Sequence, residues 1–360
     1  MIAVIGEALI DLVVTGSGVT ARPGGAAFNT ARALARLGAA TTYLGGISGD
    51  GFGQTLRDCL TADGVREGMQ GPPPGGLPST LAVVNAGPAG VNSYTFYLTG
   101  TAATALTYPQ LTTLLPAQLT AVHVGSLGLV MEPIGSAVTR LATEGMPPGA
   151  LLMVDPNCRP TAATDRDAYI KRLATIVRRA DIVKASVEDL AFLMPNDHPE
   201  EAARRLAIGT WTERAPATEA TSEAVAEAVA ETEAAGTKPA AKDTSRASTA
   251  NDAGGDLGPL VIVTDGPHPI RAILPGDGQL VSVQVPPVQV VDTIGAGDAL
   301  GAAFLAWWLA AGLGREDRSE PDRVRAALHT AAWVAAISCT RPGADPPHQA
   351  DLPPAARFPH

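Results

Sequence analysis

The sequence predicts an α/β fold: a central, mostly parallel sheet with helices covering both faces. Three observations predict it. Short apolar runs alternate along the chain with longer segments of helical spacing, the pattern of strand–helix crossover units. Gly (38) and Pro (30) punctuate 68 of 360 residues, which suits many short elements joined by tight loops and not a helical rod. Apolar residues make up 46% of the chain and mean hydropathy is +0.13, so a sizeable core is available and a wholly disordered chain is excluded.

The elements follow in order. Ile2–Ile5 is a short buried strand. Its continuation through Glu7 and Asp11 has no basic leader, which argues against a signal peptide. Ala27–Leu37 carries Phe28, Ala31, Leu34 and Ala35 at helical spacing and stops at Gly38. Thr41–Leu44 is a strand, and Gly53–Ala62 a helix closed by Asp63-Gly64. Leu81–Asn85 and Ser93–Leu98 read as two strands across a Gly-Pro-Ala-Gly turn. Three strand–helix units come next: Ala121–Val124 with Ile134–Thr143, Leu151–Val154 with Tyr169–Arg178, and Ile182–Lys184 with Val187–Leu193. Leu260–Thr264 is a strand, Val288–Val291 is read as another that feeds a helix over Asp298–Ala311, and a final helix covers about Val324–Ser338. No internal repeat is visible.

One segment departs from this pattern. Ala215–Asp256 has no aromatic residue, Val225 and Val229 as its only large aliphatics, and eight acids against three bases. It reads as a solvated, low-complexity acidic insertion, disordered apart from a transient helix over Ser222–Ala235. Half of the chain's net charge of −10 sits there. An acidic chain has no global attraction for nucleic acid or anionic lipid. Cys59, Cys158 and Cys339 are far apart and form no CxxC, which supports neither a zinc site nor a disulfide framework and fits a reducing cytoplasm. The longest charge-free apolar stretch, Ala299–Gly314, is 16 residues, short of the roughly 20 a membrane helix needs.

The strongest motif is Val290-Val291-Asp292-Thr293-Ile294-Gly295-Ala296-Gly297-Asp298, followed by an apolar helix. The free amides of Gly295, Ala296 and Gly297 at a helix start make an anion site. Asp298 beside it has two readings: a helix cap, or a base that takes a proton from an attacking hydroxyl. No GxxxxGK[ST] loop exists, and Gly49-Asp50-Gly51-Phe52-Gly53 resembles a dinucleotide fingerprint only loosely, so a Rossmann oxidoreductase ranks below a kinase.

Upstream stands Pro23-Gly24-Gly25-Ala26-Ala27-Phe28-Asn29, then a helix, then Tyr43-Leu44-Gly45-Gly46-Ile47-Ser48-Gly49-Asp50-Gly51-Phe52-Gly53. This run resembles the N-terminal signature of the PfkB (ribokinase-like) sugar kinases, and DTIGAGD resembles their C-terminal one. The resemblance covers Met1–Thr210 and Leu257–Pro347. It implies one ribokinase-like kinase domain over residues 1–360, a three-layer sandwich with a small β-sheet lid from about Val13–Arg22 and Leu81–Leu98. It implies that Asp298 is the catalytic base and that Gly295, Ala296 and Gly297 form the anion hole. Asp11, Gly24, Gly25 and Asn29 match the sugar-binding positions. Thr264 and Gly266 match part of a T-x-G-x-x-G nucleotide loop, with Pro269 in place of its last glycine. Lys184, Ser186 and Gly343 belong with them on the nucleotide side. Glu188 and Asp189 stand where the family holds Mg²⁺ through water, and Asp292 is the candidate ligand for K⁺.

Four local runs resemble bacterial fructokinases: Tyr97–Ala102, His123–Ser126, Asp155–Pro160 and Arg341–Pro347. The Asp-Pro-Asn-x-Arg run also resembles 2-keto-3-deoxygluconate kinases, so Arg159 is expected to contact substrate or γ-phosphate. His123 reads as a core or loop residue. The resemblance implies an ATP-dependent kinase that phosphorylates a ketohexose, D-fructose first, with ATP and Mg²⁺ as cofactors and a homodimer through the lid. The alternatives are a ketodeoxygluconate, ribose or nucleoside kinase, a non-catalytic sugar- or nucleotide-binding relative, and an interaction protein acting through Ala215–Asp256.

Overall fold

The computed structural model describes residues 1–16, 18–86, 92–209, 211 and 257–359. The expectations for 215–256, for the helix over 222–235 and for the turn at 87–90 lie outside the described residues.

Nine strands form the main sheet. They are β1 (Ile2–Ile5), β4 (Thr41–Leu44), β5 (Arg66–Glu67), β8 (Ala121–Gly125), β9 (Leu151–Asp155), β10 (Ile182–Ser186), β11 (Leu260–Thr264), β12 (Ile270–Ile273) and β13 (Leu280–Val283), in spatial order β13-β12-β11-β10-β9-β8-β1-β4-β5. From β5 to β11 every pairing is parallel; β12 and β13 add an antiparallel edge. The central strands read as unbroken apolar runs because both faces are covered.

One face carries α1 (Ala26–Arg36), α2 (Gly51–Ala62), α8 (Ala296–Ala310) and α9 (Pro321–Cys339); these share a core with Val4, Met153 and Ile262. The other face carries α3 (Tyr108–Leu114), α4 (Ile134–Arg140), α5 (Arg166–Val177), α6 (Val187–Leu193) and α7 (Pro199–Ala207), packed with Val122, Val154 and Val183. The result is the expected three layers. Residues that alternate along each strand separate the two cores. Helix α8 is apolar nearly all round because it is enclosed by the sheet, α1 and α9, with Phe304 and Trp308 stacked 5.4 Å apart.

A second sheet, in order β3-β2-β6-β7, combines β2 (Leu9–Thr15), β3 (Gly18–Gly24), β6 (Leu81–Ala86) and β7 (Asn92–Tyr97). It contains the expected lid segments and begins earlier, at Leu9, so that Asp11 lies within β2 and pairs with Arg22 across the ladder. One sequence expectation is corrected. Val288–Val291 is not a strand; Val290 and Val291 are 59% and 60% exposed, and the Val291 and Asp292 amides both donate to Cys339 O instead of to a sheet neighbour. The apolar run there is a loop laid over the end of α9.

Candidate active site

The parallel strands end on one side of the sheet, and the chemistry-bearing residues gather there. Gly295 is the N-cap of α8 at φ 76°, a left-handed conformation that a side chain would strain. A Cβ there would also fall 2.7 Å from Ala344 Cβ. Ala296, Gly297 and Asp298 form the first turn, so the turn's amides and the positive helix end face outward together.

Asp298 does not cap its own helix. Its Oδ2 accepts from Asn29 Nδ2 of α1 at 2.9 Å, and its side chain is buried. Burial raises the Asp298 pKa; the Asn29 hydrogen bond and the charges of Lys184 and Arg159 oppose that rise. Asn29 was expected at the sugar, and its amide is engaged with the candidate base. Its Oδ1 has no hydrogen-bond partner.

Asp11 belongs to the same electrostatic group. Burial lifts its carboxyl to about 6, against the pull of Arg159 and Arg22 and with a further push from Asp298. Gly24 lets this carboxylate lie against the β3 backbone, because a Cβ at 24 would overlap Asp11 Oδ2. Gly25 sits against Glu7 O and provides the N-cap of α1. Asp11, Gly24, Gly25, Asn29, Arg159, Asp298 and the Gly295–Gly297 loop are thus brought to one place by β2, β3, α1, the loop after β9 and α8.

The nucleotide-side residues separate into two groups. Ser186 and Thr264 are register partners at the ends of β10 and β11, with Gly266 exposed just beyond. Arg159, Ser186 and exposed Glu188 line a cavity of about 260 Å³. Asp189 also lines it, with its carboxylate already engaged: Oδ2 accepts from Ser186 N and Oγ, and Oδ1 accepts from Cys158 N, as part of a reciprocal cap on α6. Among the described residues no group of three or more His, Cys, Asp or Glu could hold a metal directly. Exposed Glu188, at the edge of this cavity, is a carboxylate that could reach a hard cation through water.

Asp292 braces two loops. Its Oδ1 accepts from Ile294 N at 3.0 Å and its Oδ2 from Gly343 N at 2.8 Å, with Arg22 Nη1 at 3.6 Å. A monovalent cation would have to share those oxygens, and the Gly343 amide is committed to the brace.

Two features were not predicted from sequence. Glu7 is buried after β1 and accepts from Ala26 N at 2.9 Å and Gly128 N at 3.0 Å; burial lifts its carboxyl to about 7. Lys184, expected at the nucleotide, is buried in an ion pair with Asp155. His123 is buried on β8, as expected for a core residue; burial, with help from Lys184, lowers its pKa to about 3.

The sequence matches the pfkB family carbohydrate kinase profile over residues 1–230 and 225–351. It is 34% identical over 209 residues to fructokinase-1 of Oryza sativa subsp. japonica, covering 56% of this chain and 64% of that protein. It is 35% identical over 215 residues to the fructokinase of Rhizobium leguminosarum bv. trifolii, covering 58% and 64%. The chain thus spans just under two thirds of the length of these relatives. The fold resembles a fructokinase with bound ATP from Xylella fastidiosa (TM-score 0.69, 24% identity, 95% of this chain and 93% of that one). It also resembles aminoimidazole riboside kinase from Salmonella enterica (TM-score 0.70, 22% identity, 95% and 94%). No helix among the described residues is long and apolar enough to cross a membrane.

Proposed function

The chain belongs to the pfkB family of carbohydrate kinases, and we propose that it transfers the γ-phosphoryl group of ATP to a ketohexose hydroxyl, converting D-fructose to fructose 6-phosphate. The observation that carries this reading is the Asp298 carboxylate, buried in the first turn of α8 beside the Gly295–Gly297 amides and oriented by Asn29. Fructose is favoured because the relatives at 34–35% identity are fructokinases. The fructokinase of Xylella fastidiosa binds ATP, which supports ATP as the donor.

The chemistry follows from position. Asp298, ionised, takes the proton of the attacking hydroxyl; the oxygen then bonds to the γ-phosphorus as the bond to the ADP oxygen breaks. The Gly295, Ala296 and Gly297 amides receive the negative charge on the transferred group. Asp11 accepts hydrogen bonds from the other sugar hydroxyls and fixes which one meets Asp298. The small sheet covers the sugar and limits transfer to water. Mg²⁺, when bound, would neutralise phosphate charge, with Glu188 reaching it through water.

Arg159 favours a second reading. Its charge acts on both Asp11 and Asp298, a placement that would also suit an acidic sugar such as 2-keto-3-deoxygluconate. A panel of fructose, ketodeoxygluconate, ribose and nucleosides with coupled ADP detection separates the two. Turnover of fructose is expected; its absence sinks the lead reading. Asp298→Asn should lower kcat by about 10²–10⁴-fold while sugar binding persists, which also separates a kinase from a non-catalytic binding relative.

A further inference from the structure

Beneath the anion loop lies a buried ion pair that the mechanism above leaves unused. Lys184 Nζ of β10 donates to Asp155 Oδ2 of β9 at 2.9 Å, with the two side chains 5% and 3% exposed. Desolvating both ions is costly, and their attraction often does no more than offset that cost. Apolar side chains of similar volume would serve the core as well, so stability is a weak reason for the pair.

Position supplies a better one. A Cβ at residue 297 would fall 2.8 Å from Lys184 Nζ and 3.7 Å from its Cε, with no other atom from outside its own helix within 4 Å. The ammonium therefore lies directly against the first turn of α8, and glycine at 297 makes room for it. An ammonium has three donors. Asp155 takes one, and no second acceptor is hydrogen-bonded to it among the described residues. Asp155 Oδ1 has no hydrogen-bond partner, so this carboxylate spends itself on the lysine alone.

We propose that Lys184 and Asp155 form the charged floor of the anion site. Asp155 fixes the ammonium under Gly297; the ammonium keeps the Asp298 carboxylate ionised and adds positive charge behind the amides that receive the phosphoryl group. Lys184 is a positioning residue here, and the inference rests on the kinase reading above. The groups around Asp298 support it. Lys184 from β10 and Arg159 after β9 favour its charged form, as does Asn29 from α1; Glu7, Asp11 and Asp155 are the acids around it. Two cations thus stand against three acids, and losing either cation should be felt. Burial alone would lower the Lys184 pKa, but Asp155, Asp189 and Asp298 raise it, so the ammonium stays charged.

The test is Lys184→Met, which removes the ammonium and leaves the Asp155 acid in place, with folding checked by circular dichroism and thermal melting. We expect kcat to fall at least about tenfold with the sugar KM within about threefold, and the acid limb of kcat to move up by about half a pH unit or more. ATP affinity, measured by calorimetry without sugar, should fall at least about threefold. Gly297→Ala pushes a Cβ onto the ammonium and should lower kcat and shift the limb in the same direction; it serves if Lys184→Met does not fold. A folded variant with wild-type kcat and an unmoved limb overturns the proposal, as does a lowered melting temperature alone. If the wild type phosphorylates no sugar of the panel, the kinase reading falls and ATP affinity decides: equal affinities overturn the pair's role.

Discussion

Asn29 and Asp298 stand 269 positions apart in sequence and 2.9 Å apart in space, the amide Nδ2 donating to the carboxylate Oδ2. This bond ties α1, which follows the small sheet, to the helix that carries the anion loop. It holds the carboxylate in one orientation where burial alone would leave it costly and loose.

Asn29→Ala should therefore impair catalysis more than stability. A hydrogen bond to a charged group is worth about 1.5–3 kcal/mol. Steady-state kinetics should show kcat down by about 10–100-fold, with the melting temperature lowered only slightly. Unchanged kcat would mean that the bond does not orient the base.

Gly24→Ala should act on the sugar and spare the nucleotide. A Cβ at 24 would overlap Asp11 Oδ2, so the carboxylate must swing away. The sugar KM should rise at least about tenfold, the loss of roughly one good hydrogen bond, with the ATP KM little changed. Initial-rate measurements varying each substrate in turn check this.

Turnover should depend on pH in a defined direction. As the proposed base, Asp298 must be ionised to accept a proton, and its pKa is raised by burial, so the acid limb of kcat should lie above the ordinary carboxylate range. Arg159 opposes that rise. Removing its charge in Arg159→Met should move the limb to higher pH; movement to lower pH would contradict the placement of the guanidinium beside the base.

Glu7 makes a prediction about folding. Its pKa is about 7 in the folded chain against an ordinary 4.5. The folded state then binds more protons than the unfolded one across that window, so stability from this group is present below pH 4.5 and lost as pH rises through 7. The loss is roughly 3 kcal/mol. Glu7→Gln forfeits one of the two amide hydrogen bonds, about 1 kcal/mol, and removes this pH dependence. Urea melts at pH 5 and pH 7.5 should show the variant gaining on the wild type as pH rises; parallel curves would refute it.

How much of this was legible follows the physics of each segment. Ile2–Ile5, Thr41–Leu44 and Leu260–Thr264 read clearly because strands covered on both faces are continuous apolar runs. Val288–Val291 imitated that signal, and only its exposure and its bonds to Cys339 reveal a loop. β3 carries Gly18, Arg22, Pro23 and Gly24 and is largely exposed, so no alternation marked it. Asp50, within a run that loosely resembles a dinucleotide fingerprint, accepts from Gly53 N and Ser79 as the cap of α2. Gly295–Asp298 was readable because a strained glycine and a helix start are local features. The Lys184–Asp155 pair was not, because it depends on β9 and β10 lying side by side with 29 positions between the residues.

The β2–β3 pair of the small sheet is strung between two body elements: β2 begins at Leu9, shortly after β1 ends at Ile5, and β3 ends at Gly24, two residues before α1 begins. Asp11 rides on that sheet, whereas Asp298 is rooted in α8. A sugar held by both, as proposed, would be a reversible crosslink between the small sheet and helix α8. Its binding should thus register as mechanical stiffening, with slower hydrogen exchange along β2 and β3 and a higher melting temperature, before any phosphate has moved.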